Sequence, residues 1–307
     1  MVNVFITGAS GFVGSHLTPI LLAAGHKITA IARSESAAQK LVDQGITTIR
    51  ATLEDIDVLA KAAGEADAVI HLGFIHDSRT YAESVEADLA VITAFGTALK
   101  DSNKTLITTS AIPVAGVPAP TELSPGKIPP RAASEKLTLS FSSPEHSIRS
   151  HVVRLPPTVH GDTDRGFLAH YIGQSRKAGF AGYIGEGENH WPATHVKDAV
   201  QVYKLVLENA SSSLKGGEVL HASQEAGITL KTIASAVAKR LGIPTKSITK
   251  EEAGQTYTFL ALFLGIDCVA SSELTGRWLR WEPVEKGVIE DLEGSGWYFE
   301  ETSVTKF

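Results

Sequence analysis

The stretch Val2-Asn3-Val4-Phe5-Ile6-Thr7-Gly8-Ala9-Ser10-Gly11-Phe12-Val13-Gly14 opens the chain and decides its fold. Its first half is short, apolar and almost uncharged, which predicts a strand buried on both faces. Gly8 permits a tight turn, Gly11 lets the backbone approach a pyrophosphate, and Gly14 lets the following helix lie close to the strand. A strand, a glycine-rich turn and a helix in this order bind a dinucleotide through the amides at the helix N-terminus. The alternative is a glycine-rich turn that binds no ligand.

Composition sets the broad class of the protein. With 307 residues, of which 43% are hydrophobic and 20% charged, the chain is expected to be an ordinary globular protein with one large core and a smaller appended region. A net charge of −6 argues against a nucleic-acid partner. One cysteine, Cys268, excludes a disulfide framework and a cysteine-built metal site, so no metal is expected.

The sequence also predicts the location of the protein in the cell. The first strand begins at once, which leaves no room for a signal or transit peptide. The most apolar later stretch, residues 259–270, is too short and too polar to cross a membrane. We therefore expect a cytoplasmic protein without a membrane partner.

The end of the second predicted strand, residues 27–32, indicates the type of cofactor. An Asp or Glu near this position bonds the ribose 2′-hydroxyl of NAD, whereas an Arg accommodates the 2′-phosphate of NADP. Here Ala32 stands in place of the acid, and Arg33 and Ser34 offer a cation and a hydroxyl. NADP(H) is therefore predicted, with NAD(H) as the alternative. An arginine that is merely solvated in a loop is the other interpretation.

The spacing Thr-Gly-x-x-Gly-x-x-Gly of residues 7–14 resembles the short-chain dehydrogenase/reductase superfamily, in its extended and atypical branches. The likeness continues in residues 70–72, 154–161 and 195–199, so it covers the chain nearly from end to end. The resemblance implies an α/β fold: a doubly wound parallel (Rossmann) sheet with a smaller C-terminal substrate-binding region. Such proteins are oxidoreductases that use a nicotinamide cofactor.

The resemblance also implies how the chain is divided. Residues 1–155 plus 195–222 would form the dinucleotide-binding Rossmann region. Residues 156–194 plus 223–307 would form the substrate-binding region, and the two would be threaded through one integrated unit.

The cofactor-binding residues implied by the resemblance lie in the loops that follow the predicted strands. Thr52 stands where family members carry an Asp that reaches the adenine amino group, and a segment starting at Pro156 would pass the nicotinamide carboxamide. The full set is Gly8, Ser10, Gly11, Phe12, Val13, Arg33, Ser34, Thr52, Leu53, Leu72, Gly73, Phe74, Pro156 and Thr158.

The chain departs from the family at the catalytic motif. Ordinary members carry Tyr-x-x-Ser-Lys, in which Tyr is the general acid/base and Lys lowers its pKa. This chain reads Pro-Arg-Ala-Ala-Ser-Glu over residues 130–135, with Arg131 in place of Tyr and Glu135 in place of Lys. Lys136 is one residue further, about 100° around the helix. The pattern is similar to an epimerase/dehydratase-like branch of oxidoreductases, and the implied catalytic residues are Ser110, Arg131 and Glu135, with Thr109 as the alternative to Ser110.

Two interpretations of Arg131 follow. A guanidinium stays protonated at neutral pH, so Arg131 would donate hydrogen bonds to a carbonyl oxygen and stabilise negative charge there. The proton would then come from water or from a histidine such as His76 or His160. In the alternative, Arg131 and Glu135 lie four residues apart on one helical face and form a surface ion pair on a helix that has lost its catalytic groups.

Three functions remain open. The first is an NADP(H)-dependent oxidoreductase that transfers a hydride to an apolar small-molecule carbonyl. The second is a catalytically silent NADP-binding regulatory or scaffold protein. The third is a sugar-nucleotide epimerase or dehydratase, which is disfavoured because the C-terminal region has no basic cluster suited to a second pyrophosphate. A homodimer is one interpretation of the long helix predicted over residues 81–101, since its family equivalent often forms half of a dimer interface. The alternative, which periodicity does not separate from it, is that this helix packs on the sheet.

Overall fold

The computed structural model describes residues 1–77, 79–112, 119–126, 131–209, 213–294 and 296–300. Within these residues its strands are β1 (Asn3–Thr7), β2 (Lys27–Ala32), β3 (Thr47–Arg50), β4 (Ala68–His71), β5 (Thr105–Ala111), β6 (Arg149–Leu155), β7 (Thr158–His160), β8 (Ala181–Ile184), β9 (His190–His195), β10 (Val219–His221), β11 (Glu225–Thr229) and β12 (Thr245–Ile248). Seven of them form one sheet in the order β10-β6-β5-β4-β1-β2-β3, and every neighbouring pair is parallel.

Helices cover both faces of this sheet. The helices of the described residues are α1 (Phe12–Ala23), α2 (Glu35–Val42), α3 (Ile56–Glu65), α4 (Tyr81–Ala98), α5 (Arg131–Ser140), α6 (Phe167–Ala178), α7 (Val196–Asn209), α8 (Leu230–Leu241), α9 (Lys250–Tyr257), α10 (Ala261–Leu264), α11 (Glu273–Leu279) and α12 (Val288–Gly294). One face packs against α1, α2 and α7, and the other against α3, α4 and α5. The prediction of a doubly wound parallel sheet is confirmed.

The first strand shows why the sequence folds in this way. Val4 and Ile6 belong to the core on one face of the sheet, and Phe5 between them belongs to the core on the other face. All three side chains are fully buried. Because successive side chains of a strand point to opposite faces, an uninterrupted apolar run requires helices on both sides.

A second core lies in the later part of the chain. It is built from α6, α8, α9, α10 and α12, together with a three-stranded sheet β11-β9-β7 and a two-stranded sheet β12-β8. The division into a nucleotide-binding and a substrate-binding region stays a prediction, because a hydrophobic core does not identify its ligand. Residues 301–307, at the end of that predicted division, and Pro130 of the catalytic motif lie outside the described residues.

Two local features of this second core follow from its packing. Residues 185–189 form a turn and a loop between β8 and β9, and these strands do not pair as a hairpin, because β8 pairs in parallel with β12 while β9 belongs to another sheet. α9 ends at Tyr257, after which Thr258 has a φ of 53°. The break follows an anchor, since the buried Tyr257 hydroxyl accepts a hydrogen bond from the amide of Gly182 at 2.6 Å.

Among the described residues, no helix has both the length and the apolar character that crossing a bilayer requires.

The packing of α1 on β1 gives a prediction for stability. A Cβ atom at Gly14 would lie 2.2 Å from the carbonyl oxygen of Gly8 and 2.7 Å from Cα of Ala9. Backbone cannot yield as a side chain does, so Gly14→Ala is expected to lower the free energy of unfolding by about 1–3 kcal/mol. Gly254, exposed in α9 with no atom within 4 Å of the added Cβ, is the matched control. Gly254→Ala should raise stability by about 0.5–1 kcal/mol in the same urea titration.

Candidate active site

A crevice opens where the strand order of the main sheet reverses. β1 lies between β4 and β2, so the chain proceeds in one direction from β1 to β3 and in the other from β4 to β10. Ligands of such sheets bind at this point, outside the carboxyl ends of the strands. The loops after β1 and β4 meet there: Gly8 has a φ of 74°, and a Cβ on it would lie 2.7 Å from the backbone nitrogen of Gly73.

The N-terminus of α1 faces this crevice with its backbone amides uncapped. Gly11 is the N-cap residue in an extended conformation, no side chain caps the helix, and its first turn has no acidic residue. Ser10 and Gly11 are exposed, while Phe12 and Val13 are half-buried. Uncapped amides at the positive end of a helix dipole bind phosphate, so these residues fit the pyrophosphate of a dinucleotide.

Two arginines flank the end of β2. Arg33 is exposed directly after the strand, and the Ser34 hydroxyl caps α2 by accepting the amide hydrogen bond of Ala37 at 3.2 Å. Arg50, the last residue of β3, donates from Nη1 to the carbonyl oxygen of Ala32 at 2.9 Å. Sequence reasoning missed Arg50. The signal was the register of neighbouring parallel strands, which pairs Arg50 with Ala32.

The side chain of Thr52, which was expected to contact adenine, is hydrogen-bonded within its own loop. The hydroxyl of Thr52 donates to Oδ2 of Asp55 at 2.8 Å, and its amide donates to the same oxygen at 2.6 Å. These bonds, the one from the amide first, lower the pKa of Asp55. Thr52 therefore holds a local turn. Leu53 packs against Gly73, with its methyl carbons 3.1 and 3.2 Å from the place of an added Cβ.

The expected catalytic residues Ser110 and Arg131 lie at the end of β5 and the start of α5. β5 extends to Ala111, so Ser110 is held in register beside Arg154 of β6. Arg131, the first residue of α5, donates from Nη2 to the carbonyl oxygen of Thr109 at 2.7 Å. The guanidinium thus contacts the peptide bond that precedes Ser110. Only 12% of the Arg131 side chain is exposed, so this arginine turns towards the sheet edge and away from bulk water.

Arg131 has two further partners. Its Nη1 lies 3.3 Å from Oδ2 of Asp88, a residue of α4, and its guanidinium carbon lies 4.3 Å from the ring centroid of Phe74. The expected alternative of an ion pair between Arg131 and Glu135 is wrong, because each pairs with a different residue. The i, i+4 spacing allowed their contact, but stronger buried partners on the sheet and on α4 fix both side chains.

Glu135 is buried against Arg154. The Nε of Arg154 donates to Oε2 of Glu135 at 2.9 Å, and its Nη2 donates to Oε1. Nη1 of Arg154, which is fully buried, donates to Nε2 of His221 at 3.2 Å. Burial, followed by the charge of Arg154, lowers the pKa of His221 to about 4, so this histidine is a neutral acceptor. The ion pair of Glu135 with Arg154 therefore links α5 to β6.

Aromatic and titratable groups line the loop after β4. The ring of Phe74 lies 5.0 Å from that of His76 and 5.9 Å from that of Tyr81. Burial, followed by the charge of Arg131, lowers the pKa of His76. Burial raises the pKa of Tyr81, against the opposing effect of Arg131. The structure brings His76 beside Arg131, as one of the two histidines considered from the sequence. Tyr81 was missed, because its position at the start of a long helix gave no chemical signal.

The segment after β6 is buried. Pro156 is buried, and the buried hydroxyl of Thr158 has no hydrogen-bond partner in the described part of the chain. His160, the other histidine considered as a proton source, is fully buried, with Nδ1 2.8 Å from Oδ2 of Asp291.

His160, His195 and Asp291 are a group whose ligand atoms lie within 4.8 Å of one another. Nδ1 of His195 accepts the amide hydrogen bond of Lys197 at 3.2 Å. A neutral imidazole that accepts at Nδ1 carries its proton on Nε2, which blocks that nitrogen as a metal ligand. The hydrogen bonds therefore disfavour a metal here, and the expected absence of a metal site stays a prediction.

Comparison with known proteins agrees with this geometry. The model of the NAD dependent epimerase/dehydratase family matches residues 4–220, more than half of the chain, and the protein belongs to this family. The predicted superfamily, the NAD(P)-dependent enzyme class and the oxidoreductase chemistry are thereby confirmed at the level of the family.

Individual relatives cover most of the chain. An uncharacterized protein of Schizosaccharomyces pombe is 40% identical over 300 residues, covering 96% of this chain and 100% of its own. A sterol-4-alpha-carboxylate 3-dehydrogenase (decarboxylating) of Dictyostelium discoideum is 24% identical, with 81% and 79% covered. A 4-hydroxy-2-methyl-3-oxo-4-farnesyl-3,4-dihydroquinoline-1-oxide ketoreductase of Stigmatella aurantiaca is 27% identical, with 78% and 73% covered. A UDP-glucuronic acid 4-epimerase of Bacillus cereus in complex with NAD shares the fold, with a TM-score of 0.75, 19% identity, and 95% and 96% coverage.

The ion pair of Glu135 gives a second prediction for stability. Glu135→Gln keeps the shape of the side chain but leaves the buried Arg154 without its counter-charge, so the free energy of unfolding should fall by about 3–5 kcal/mol. The control is Glu273→Gln, which removes an exposed i, i+4 pair with Arg277. Its effect should stay within about 0.5 kcal/mol. Equal losses for the two variants in chemical denaturation would contradict the structural role of Glu135.

Proposed function

We propose that the protein is an NADPH-dependent reductase of an apolar, small-molecule carbonyl compound. The observation that carries this proposal is the placement of Arg131 at the carboxyl end of β5. Its guanidinium contacts the peptide bond preceding Ser110, on the edge of the sheet where the glycine-rich loop also lies.

The chain's own residues would stabilise charge on the reacting oxygen. A bound reduced nicotinamide cofactor would supply the hydride that reduces the carbonyl carbon, becoming oxidised itself, and negative charge would then develop on the carbonyl oxygen. Ser110 and Arg131 would donate hydrogen bonds to that oxygen. Donors fixed in advance by the fold are effective because they need no reorganisation during the reaction. Glu135 would act as a positioning residue, since its carboxylate holds Arg154 beside Ser110.

The proton that completes the alcohol must come from elsewhere, since a guanidinium is a poor acid. We assign it to water, delivered directly or through His76. His76 lies against Phe74, the ring on which the Arg131 guanidinium packs. His160 is the weaker candidate, because its side chain is fully buried and its Nδ1 is held by Asp291.

The apolar character of the substrate has two supports. Phe74 and Tyr81 present aromatic rings beside Arg131. The relatives from Dictyostelium and Stigmatella are named for a sterol carboxylate and for a farnesylated dihydroquinoline oxide, whose carbon skeletons are both largely apolar. The homodimer stays a prediction, because Val85, Ile92 and Phe95 of α4 already pack within the chain.

A preference for NADPH over NADH is supported by Arg33 and Arg50, the two cations at the end of β2. Loss of one charge-assisted contact costs about 1.5–3 kcal/mol, so Arg33→Ala and Arg50→Ala should each weaken NADPH binding by about tenfold or more. Affinity for NADH, which has no 2′-phosphate, should change little. Calorimetric titration of both cofactors measures the difference, with Arg277→Ala as a remote control. Equal weakening for the two cofactors would contradict the assignment.

Turnover tests the proposed reaction itself. Purified protein with NADPH and a panel of apolar ketones should consume the reduced cofactor, measured by its absorbance. Arg131→Ala should lower kcat by about 10²–10³-fold, as expected for loss of a donor to the developing negative charge, and should retain NADPH binding. Lys136→Ala removes an exposed cation from the same helix and should keep full activity.

Two outcomes would overturn this proposal. Binding of NADPH without turnover of any ketone by the unaltered protein would favour a silent NADP-binding regulatory or scaffold protein. Turnover unaffected by Arg131→Ala would remove the guanidinium from the reaction.

A further inference from the structure

We infer that Asp88 makes the site selective for a neutral carbonyl compound over one that carries a carboxylate, by compensating the charge of Arg131. This inference rests on the proposed function, of which it names the substrate class. It makes Asp88 a specificity-determining residue on α4, a position that the resemblance to the family did not single out.

The geometry places the Asp88 carboxylate between two side chains. Oδ1 lies 3.1 Å from Nε2 of His71, and Oδ2 lies 3.3 Å from Nη1 of Arg131. Only 2% of the Asp88 side chain is exposed. A buried carboxylate interacts with a neighbouring charge far more strongly than an exposed one, because little water screens the pair.

Both ring nitrogens of His71 have partners. The Thr7 hydroxyl oxygen accepts the amide hydrogen bond of Gly73 at 3.2 Å and lies 2.5 Å from Nδ1 of His71. Nε2 of His71 donates to the Asp88 carboxylate, which accepts there through Oδ1. His71 is therefore a core histidine that holds Asp88 in place, and Oδ2 of Asp88 faces Arg131.

The Asp88 carboxylate therefore offsets the charge of the Arg131 guanidinium. Burial alone would raise the pKa of Asp88, but the hydrogen bond from His71 and the charge of Arg131 outweigh it and lower the pKa, so Asp88 is ionised. The lowered pKa of His76 keeps that ring neutral near pH 7. Arg154, another buried cation, is compensated by Glu135.

This compensation decides what the guanidinium attracts. A neutral carbonyl oxygen can accept a hydrogen bond from Arg131 without disturbing the pair with Asp88. A carboxylate gains little, because its attraction to Arg131 is offset by repulsion from Asp88, and it must also lose its hydration. Without the Asp88 charge, Arg131 becomes an uncompensated cation of the kind that recognises carboxylates.

The test compares methyl benzoylformate with benzoylformate, a neutral keto ester and the keto acid of the same skeleton. The unaltered protein should have the higher kcat/KM for the ester with NADPH. Asp88→Asn keeps the size of the side chain and removes its charge, so the ratio of kcat/KM for acid over ester should rise by about tenfold or more. Because both substrates are measured on the same preparation, this ratio of kcat/KM values does not depend on the fraction of protein that folds. The double variant Asp88→Asn, Arg131→Ala should lose this gain, since it lacks the cation.

Asp164→Asn is the matched control, because Asp164 is also a buried aspartate, hydrogen-bonded to Tyr298 in the second core. It should leave the ratio unchanged. If Asp88→Asn does not fold, inhibition of the unaltered protein by benzamide and benzoate answers the same question, and benzamide should bind at least about tenfold more tightly.

Failure of this inference is distinct from failure of the proposed function. Turnover of the ester with an unchanged acid-to-ester ratio in Asp88→Asn would overturn the inference alone. Absence of any turnover would overturn the proposed reductase. In that case, charge selectivity is measured by the thermal shift of each variant with NADP⁺ and either benzoate or benzamide. Stabilisation by benzoate in Asp88→Asn alone would support the compensation of the Arg131 charge by Asp88.

Discussion

The close contact between the glycine-rich loop and its surroundings is the constraint on which the rest of the site depends. Gly14 packs on the backbone of Gly8 and Ala9, and Gly8 packs on the backbone of the loop after β4. These contacts leave no room for a Cβ atom, and they bring the start of α1 to the opening of the crevice. Every proposed role of Ser110 and Arg131 is defined relative to this position, because the carboxyl ends of β1, β4 and β5 lie side by side.

The sequence predicted those features that depend on local composition. Strand β2 has the predicted bounds, and the apolar run of β1 is buried on both faces, because these features follow from the composition of neighbouring residues. Residue roles that depend on three-dimensional partners were harder to predict. Spacing indicated that Arg131 and Glu135 can touch, but only the fold shows that Asp88 and Arg154 hold them apart. Arg50 was missed because only the register of β2 and β3 places it beside Ala32. Tyr81 was missed because its position at the start of a long helix gives no chemical signal.

Two buried ion pairs involve the residues that stand where the resembled family carries Tyr and Lys. The pair of Arg131 with Asp88 lies at the carboxyl end of β5, and the pair of Arg154 with Glu135 links α5 to β6. Both cost desolvation energy, which their mutual attraction repays only when geometry and hydrogen bonding are good. The pair of Arg154 with Glu135 meets that condition through its own hydrogen bonds and those to Ser124 and His221. The facing atoms of Arg131 and Asp88 form no hydrogen bond, and their support comes from the carbonyl oxygen of Thr109 and from His71. A guanidinium in such a setting is fixed in place but cannot supply a proton, which separates charge stabilisation from acid catalysis.

The order of strands in the main sheet determines how much of the chain must be synthesised before that sheet can form. β10 is the edge strand beside β6, and α7 packs on α1. Both elements follow the first strands of the second core in the chain. Later still, the indole of Trp281 donates to the carbonyl oxygen of Asp198 at the start of α7, and the Asp198 carboxylate accepts two amides of residues 284 and 285. During synthesis on the ribosome, more than two-thirds of the chain must therefore emerge before the seven-stranded sheet is complete. A nascent polypeptide halted near residue 160 exposes the edge of β6 and the apolar side of α1, which makes it a client for chaperones.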